Sequence, residues 1–236
     1  MLKATLLCIA LLAIGGFAVA VETEVSADIV AGDAAAQRRD MPEAIKCFSR
    51  ALEKEPLNVD ALTSRAVMYA HSGQVDLALS DASRALQLRP ESTEAYFARA
   101  MAFRHRGEAG KAIADLSAAI RIDPKRWNLF SMRGEDYAHE GQFEEARADY
   151  DTAIELAPDR AINFVGRAEV HVSLGEFAAA YKDFERAQKL QPDLPATYDA
   201  FSRLLASCPD RELRDSKRAL EYAKIAMELN PNREEQ

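Results

Sequence analysis

The sequence predicts an all-α fold, an α-solenoid of stacked helix–turn–helix units, and three periodicities carry that reading. Pro56, Pro90, Pro124, Pro158 and Pro192 recur every 34 residues. Gly73, Gly107, Gly141 and Gly175 keep the same interval. So do two alanine ladders, Ala44, Ala78, Ala112, Ala146 and Ala180, and, seven residues on, Ala51, Ala85, Ala119, Ala153 and Ala187. A fixed period of roughly 20–50 residues marks copies of one supersecondary unit, and about 34 suits a helix pair.

The elements follow in order. Lys3 precedes an apolar run from Ala4 to Ala20, and Ala18-Val19-Ala20 has the small-x-small form of a signal-peptidase site. Residues 1–20 are therefore expected to be a signal peptide, which makes the protein exported, periplasmic or extracellular. The alternative is an uncleaved membrane tether through residues 4–20, since the run nearly reaches the ~20 residues that a span needs. Framing on the prolines then gives units 25–58, 59–92, 93–126, 127–160, 161–194 and 195–233. In each, two amphipathic helices flank a turn. The turn glycine accommodates the left-handed backbone cheaply, and the proline stops the second helix.

Small residues mark where helices cross. Gly32, Ala66, Ala100, Gly134, Ala168 and Ser202 on the first helices oppose the alanine ladders, which Ala219 and Ala226 extend into the last unit. Two helices approach closely only over small side chains. Leu62, Tyr96, Phe130, Phe164 and Tyr198, with Tyr69, Phe103 and Tyr137, are expected to fill the space around these crossings. Cys47 reads as a core residue. Cys208, placed in a loop before Pro209, is the thiol expected to react. The segment Leu204 to Asp215 is expected to lengthen the turn of the last unit. Leu220, Met227 and Leu229 are expected to lie partly exposed, a candidate homo-oligomer contact through the last repeat.

On the run Phe130, Gly134, Tyr137, Ala146, Tyr150 and Pro158, the chain resembles the tetratricopeptide repeat (TPR) family, bacterial exported type. Phe164, Ala168, Ala180, Phe184 and Pro192 repeat the pattern, with His171 where an aromatic is usual and expected to pack like one. The first unit is degenerate: Asp28 and Ala35 replace large apolar residues, and Arg39 stands where the turn glycine belongs. The resemblance implies a right-handed α-solenoid of antiparallel helix pairs, a TPR superhelix that binds protein or peptide on its concave face.

Composition limits the partners. Acids number 38 against 30 bases, a net charge of −8, and no basic patch offers a nucleic-acid backbone the counter-charge it requires. No HExxH, CxxC pair, phosphate-binding glycine loop or nucleophile elbow occurs. The chain is therefore read as a non-enzymatic scaffold without cofactor. The ladders Arg65, Arg99, Arg133, Arg167 and Asp81, Asp115, Asp149, Asp183 are absent together from the first and last units. This implies pairing inside each hairpin, since an arginine fork suits a partly buried carboxylate. His71, His105 and His139 also recur. One metal ion cannot bridge side chains separated by a helix pair, at about 10 Å per packed helix, so they read as surface positions, with a small-ligand or metal binder as the lesser alternative.

In the resembling family, the first helices line the ligand surface. That maps the groove onto Val67, His71, Phe97, Met101, Arg104, His105, Glu135, His139, Val165, Glu169 and Arg203. The lysine and asparagine pairs of the chaperone-tail binders are absent: Thr63, Phe97, Ser131 and Val165 hold the first sites, Val67, Met101, Glu135 and Glu169 the second. The mixture of apolar and acidic side chains anticipates a peptide or helix that is apolar with some basic character, with Phe97 and Met101 as its anchor.

Overall fold

A computed structural model describes residues 23–230, so the expected signal segment lies outside the described residues, as does Pro231. Among the described residues every regular element is a helix. The first, α1, covers residues 23–37. It is followed by α2 (Met41–Lys54), α3 (Val59–His71), α4 (Val75–Leu88), α5 (Thr93–His105) and α6 (Ala109–Ile122). Then come α7 (Trp127–His139), α8 (Phe143–Leu156), α9 (Ala161–Ser173), α10 (Phe177–Leu190), α11 (Pro195–Ser207) and α12 (Ser216–Leu229). The described residues divide into two compact units, the first ending at Ile122 and the second beginning at Asp123.

In the first unit, α3 packs on α4 and α5 on α6, while α3 also lies beside α5. Gly73 and Gly107 turn these hairpins at φ of 72° and 75°. The degenerate first unit keeps the same turn at a cost: Arg39 takes φ 61°, the left-handed region that an L side chain enters for about 1–2 kcal/mol. Gly32 is required for another reason, because a Cβ there would lie 2.5 Å from the Phe48 ring. Asp28 is also accounted for. Burial raises its carboxyl, but Lys54 and Arg50 more than offset this and hold it below the ordinary value. Arg50 Nε donates to Asp28 Oδ1 at 2.9 Å, and Lys54 Nζ to Oδ2 at 3.0 Å. Side-chain acceptors cap α2, α3 and α5: Asp40, Asn58 and Ser92 each take a first-turn backbone N–H.

In the second unit, α7 pairs with α8, α9 with α10 and α11 with α12. Its core gathers Phe164, Val165, Phe184, Tyr198, Phe201, Leu205 and Tyr222 around Ala168, Ala180, Ala187, Ala219 and Ala226. Phe184 stacks on Phe201 with centroids 5.1 Å apart, and Tyr181 meets the same ring edge-on at 5.0 Å. At Gly134 a Cβ would sit 3.2 Å from the Ala146 carbonyl oxygen, so this helix crossing tolerates no side chain without a shift.

Two expectations about the last hairpin are corrected. Residues 204–207 belong to α11, and the long connection is the eight residues from 208 to 215. Cys208 is not an exposed loop thiol. It is 1% exposed, because its backbone N–H still closes the last turn of α11 onto the Leu204 carbonyl at 2.8 Å and the side chain joins the core. Cys47 is buried as well.

Candidate functional site: the first-helix faces

Each central hairpin is closed by an arginine fork. Arg65 donates to Asp81 at 2.7 and 3.1 Å, and Arg99 to Asp115 at 2.7 and 2.7 Å. In the second unit Arg133 meets Asp149 at 2.8 and 2.7 Å, and Arg167 meets Asp183 at 2.8 and 2.8 Å. All four carboxylates are buried. The bond to the carboxylate, against the opposing effect of burial, raises the Arg99, Arg133 and Arg167 guanidiniums above their ordinary value. The forks also lie over rings: Arg65 over Tyr69, Arg99 over Tyr96, and Arg133 over both Phe130 and Tyr137. Each of these arginines is bonded to the aspartate of its own hairpin.

A further contact escaped the sequence reading. Arg65 Nη1 donates back to Ser49 of α2 at 3.0 Å, and Arg167 Nη1 to Asp151 of α8 at 2.7 Å. At these two forks the third nitrogen stitches a hairpin to the one before it. The signal was present as a further 34-residue ladder, Ser49, Ser83, Ser117 and Asp151. In the last hairpin the fork is replaced by Arg218, which donates to Tyr181 at 2.6 Å and Tyr222 at 2.9 Å. His171 is largely buried, its side chain 13% exposed, and it also meets polar partners that an aromatic would not: its Nδ1 lies 2.5 Å from Glu176 Oε2 and its Nε2 3.7 Å from Asp183. Its polar ring answers two carboxylates of its own hairpin, and that bond is the main influence holding Glu176 below its ordinary value.

On the first unit's α3 and α5, Val67, Phe97, Met101 and Arg104 are half-buried, and His71 and His105 are exposed. Val67 leans on Ala66, Ala82 and Ala98, and Met101 on Ala70, Ala78 and Ala102. Loss of surrounding water, and then the charge of His105, push His71 below the ordinary imidazole value. Among the described residues no group of three or more His, Cys, Asp or Glu side chains is arranged to hold a metal ion.

On the second unit, α7, α9 and α11 present Glu135, His139, Glu169 and Arg203, all exposed. Val165 is corrected: it is 3% exposed, because α11 closes over that side of α9 and takes Val165 into the core. Between α9 and α11 lies a recess of about 280 Å³, walled by Val172, Phe177, Leu204 and Pro209 and floored by Phe184. Glu169 and Arg203 stand at its edge, 2.8 Å apart. A smaller recess of about 190 Å³, lined by Glu135, His139, Phe143, Tyr150 and Gly166, shares the Glu169 wall. Gly166 was overlooked in the sequence, although a Cβ there would meet the Tyr150 ring at 2.3 Å. Glu169 keeps about half of its side-chain surface in solvent, yet partial loss of water among its neighbours raises its carboxyl, with Arg203 opposing and Asp199 and Glu135 adding to the rise. The face therefore combines an apolar cup with a carboxylate whose charge is incompletely compensated.

Comparisons with known proteins agree with this architecture. The family model described as tetratricopeptide repeat matches residues 29–92, 72–126 and 131–195, well over half of the chain. No curated protein matches the sequence. Among solved structures, MamA is similar at 22% identity, with 72% of this chain and 93% of that one covered and a TM-score of 0.61. The pilF protein of Pseudomonas aeruginosa is 18% identical over 92% of this chain and 96% of its own, with a TM-score of 0.74. YrrB, described as a TPR protein with an unusual peptide-binding site, is 18% identical over 79% and 94%, with a TM-score of 0.61. At these identities the likeness is one of fold.

Proposed function

The chain belongs to the tetratricopeptide repeat family, and on that premise we propose that it is a non-enzymatic scaffold of the cell envelope that binds a peptide or helix on its first-helix faces. Proteins of this family are in general scaffolds for protein–protein interaction. The observation that carries the proposal is the recess between α9 and α11 with the Glu169 carboxylate at its edge. An apolar side chain fills the cup. A lysine or arginine beside it supplies the positive charge that Glu169 draws only in part from Arg203. Recognition of this kind pairs a buried anchor with a charged rim that sets register. On the first unit, half-buried Phe97 and Met101 offer a second apolar foothold. The YrrB likeness supports peptide binding as a use to which this fold is put.

The envelope assignment is supported by the apolar run from Ala4 to Ala20 and the Ala18-Val19-Ala20 triplet. Fractionation of the native host, with N-terminal sequencing of the recovered protein, tests it. A mature chain beginning near Val21 in the exported fraction is expected, and a chain found only in the cytoplasm overturns it.

Selection from a library of displayed random peptides tests the binding reading. Enriched sequences are expected to place an aromatic or aliphatic residue beside Lys or Arg, and their retention is lost on Glu169→Lys. Enrichment of acidic peptides, or retention indifferent to Glu169→Lys, contradicts the proposed site.

A further inference from the structure

The outward face of α12 differs from every other second helix. Phe48, Ala82, Leu116, Tyr150 and Phe184 hold one equivalent position in the earlier hairpins and are all buried. In α12 that position is Ala223, half-buried. Around it Leu220 and Met227 are 60% and 59% exposed. Seven residues apart, they form one stripe along the helix. The inward face is already occupied, since α12 packs on α11 and reaches α10 through Arg218 and Tyr222.

The charges beside the stripe have an order of their own. Lys217, Glu221, Lys224 and Glu228 alternate in sign, and all are exposed. At 3.6 residues per turn they share one flank, about 40–100° round from Leu220. None has an ion-pair partner among the described residues. Read backwards, the order plus-minus-plus-minus becomes minus-plus-minus-plus. A helix with this pattern is complementary to its own reversed copy.

We propose that α12 is a homodimer interface, in which two copies of this chain pair their last described helices antiparallel about a two-fold axis beside Ala223. The reversal sets Lys217 against the partner's Glu228 and Glu221 against the partner's Lys224. The same register brings Leu220 to within about 3 Å, two residues of rise, of the level of the partner's Met227, one such pair on each side of the axis. The alanine at the centre lets the helices approach closely. A two-fold perpendicular to both helices keeps a flank on the same edge in each copy, so the charges meet along one seam. A parallel pair would set each charge at the height of its own like. Apolar contact supplies affinity, and the charges fix the orientation.

Sedimentation of the full chain over a range of concentrations tests the interface, using charge reversals that the two-fold doubles. A monomer–dimer equilibrium is expected for the wild type. Glu221→Lys or Lys224→Glu alone creates two like-charge contacts and weakens the dimer by about tenfold. The double exchange Glu221→Lys/Lys224→Glu restores the opposite pairing and brings the equilibrium back to within about threefold of wild type. Leu220→Glu removes dimerisation altogether. The three positions are exposed, so unchanged circular-dichroism melts accompany each variant. A chain monomeric at tens of micromolar overturns the proposal. So does association indifferent to these substitutions, or a double exchange as weak as its single parents.

Discussion

A guanidinium and a carboxylate sixteen residues apart hold each central hairpin closed. Asp115 is 6% exposed and accepts both bonds from Arg99, so neutralising it leaves a half-buried cation without its partner. Asp115→Asn is expected to lower stability by about 2–4 kcal/mol in urea denaturation. That sits toward the lower end for a broken buried pair, because the Arg99 side chain keeps 26% of its surface in water. The double replacement Arg99→Met/Asp115→Leu is expected to cost less than Asp115→Asn, since it leaves no charge stranded. Arg39 offers the opposite case. Its φ of 61° is strained for any side chain, and Arg39→Gly is expected to raise stability by about 1 kcal/mol, read as a higher denaturation midpoint. The two members of each fork were legible in the sequence because their ladders share a period and disappear together. The backward reach to Ser49 and Asp151 went unread although its ladder was present, since a serine on a second helix carries no sign of which nitrogen it meets.

At the scale of elements, the hairpins were readable and their ends less so. Alanine ladders fixed where helices cross, and glycines at 34-residue spacing fixed the turns. The connection 208–215 was misjudged because nothing in its composition says that α11 continues through Ser207, or that Cys208 folds inward behind it. Thiol titration checks that burial: Cys208, like Cys47, is expected to react with a bulky disulfide reagent only as the protein unfolds, and rapid labelling of the native chain contradicts it. The start of α12 depends on Asp215, whose carboxylate accepts from the backbone N–H of Lys217 and Arg218, both at 3.0 Å. Asp215→Ala is expected to cost about 1 kcal/mol in thermal denaturation. Val165 shows the same limit of sequence reasoning: a valine on a first helix looks the same whether its face meets solvent or the next helix.

For the whole molecule, the family and its interaction role follow from repetition, while the binding site depends on side-chain surroundings that repetition does not reveal. Glu169 carries this most clearly. Its folded value is raised, so its contribution to stability is fully present below the ordinary glutamate value and is lost as pH rises through the raised one. Stability measured across that window is expected to fall for the wild type relative to Glu169→Gln. Binding of a basic peptide runs the other way, because ionised Glu169 is the form that attracts it. Affinity is expected to weaken on acidification through the same window, and to be nearly flat in Glu169→Gln. The central claim is that the α9–α11 face receives the partner. It is tested most directly by amide hydrogen exchange of the full chain, with and without a peptide recovered from the displayed library. The account predicts slowed exchange concentrated in α9 and α11, abolished by Glu169→Lys. Slowed exchange confined to other helices, with α9 and α11 unchanged, would contradict it.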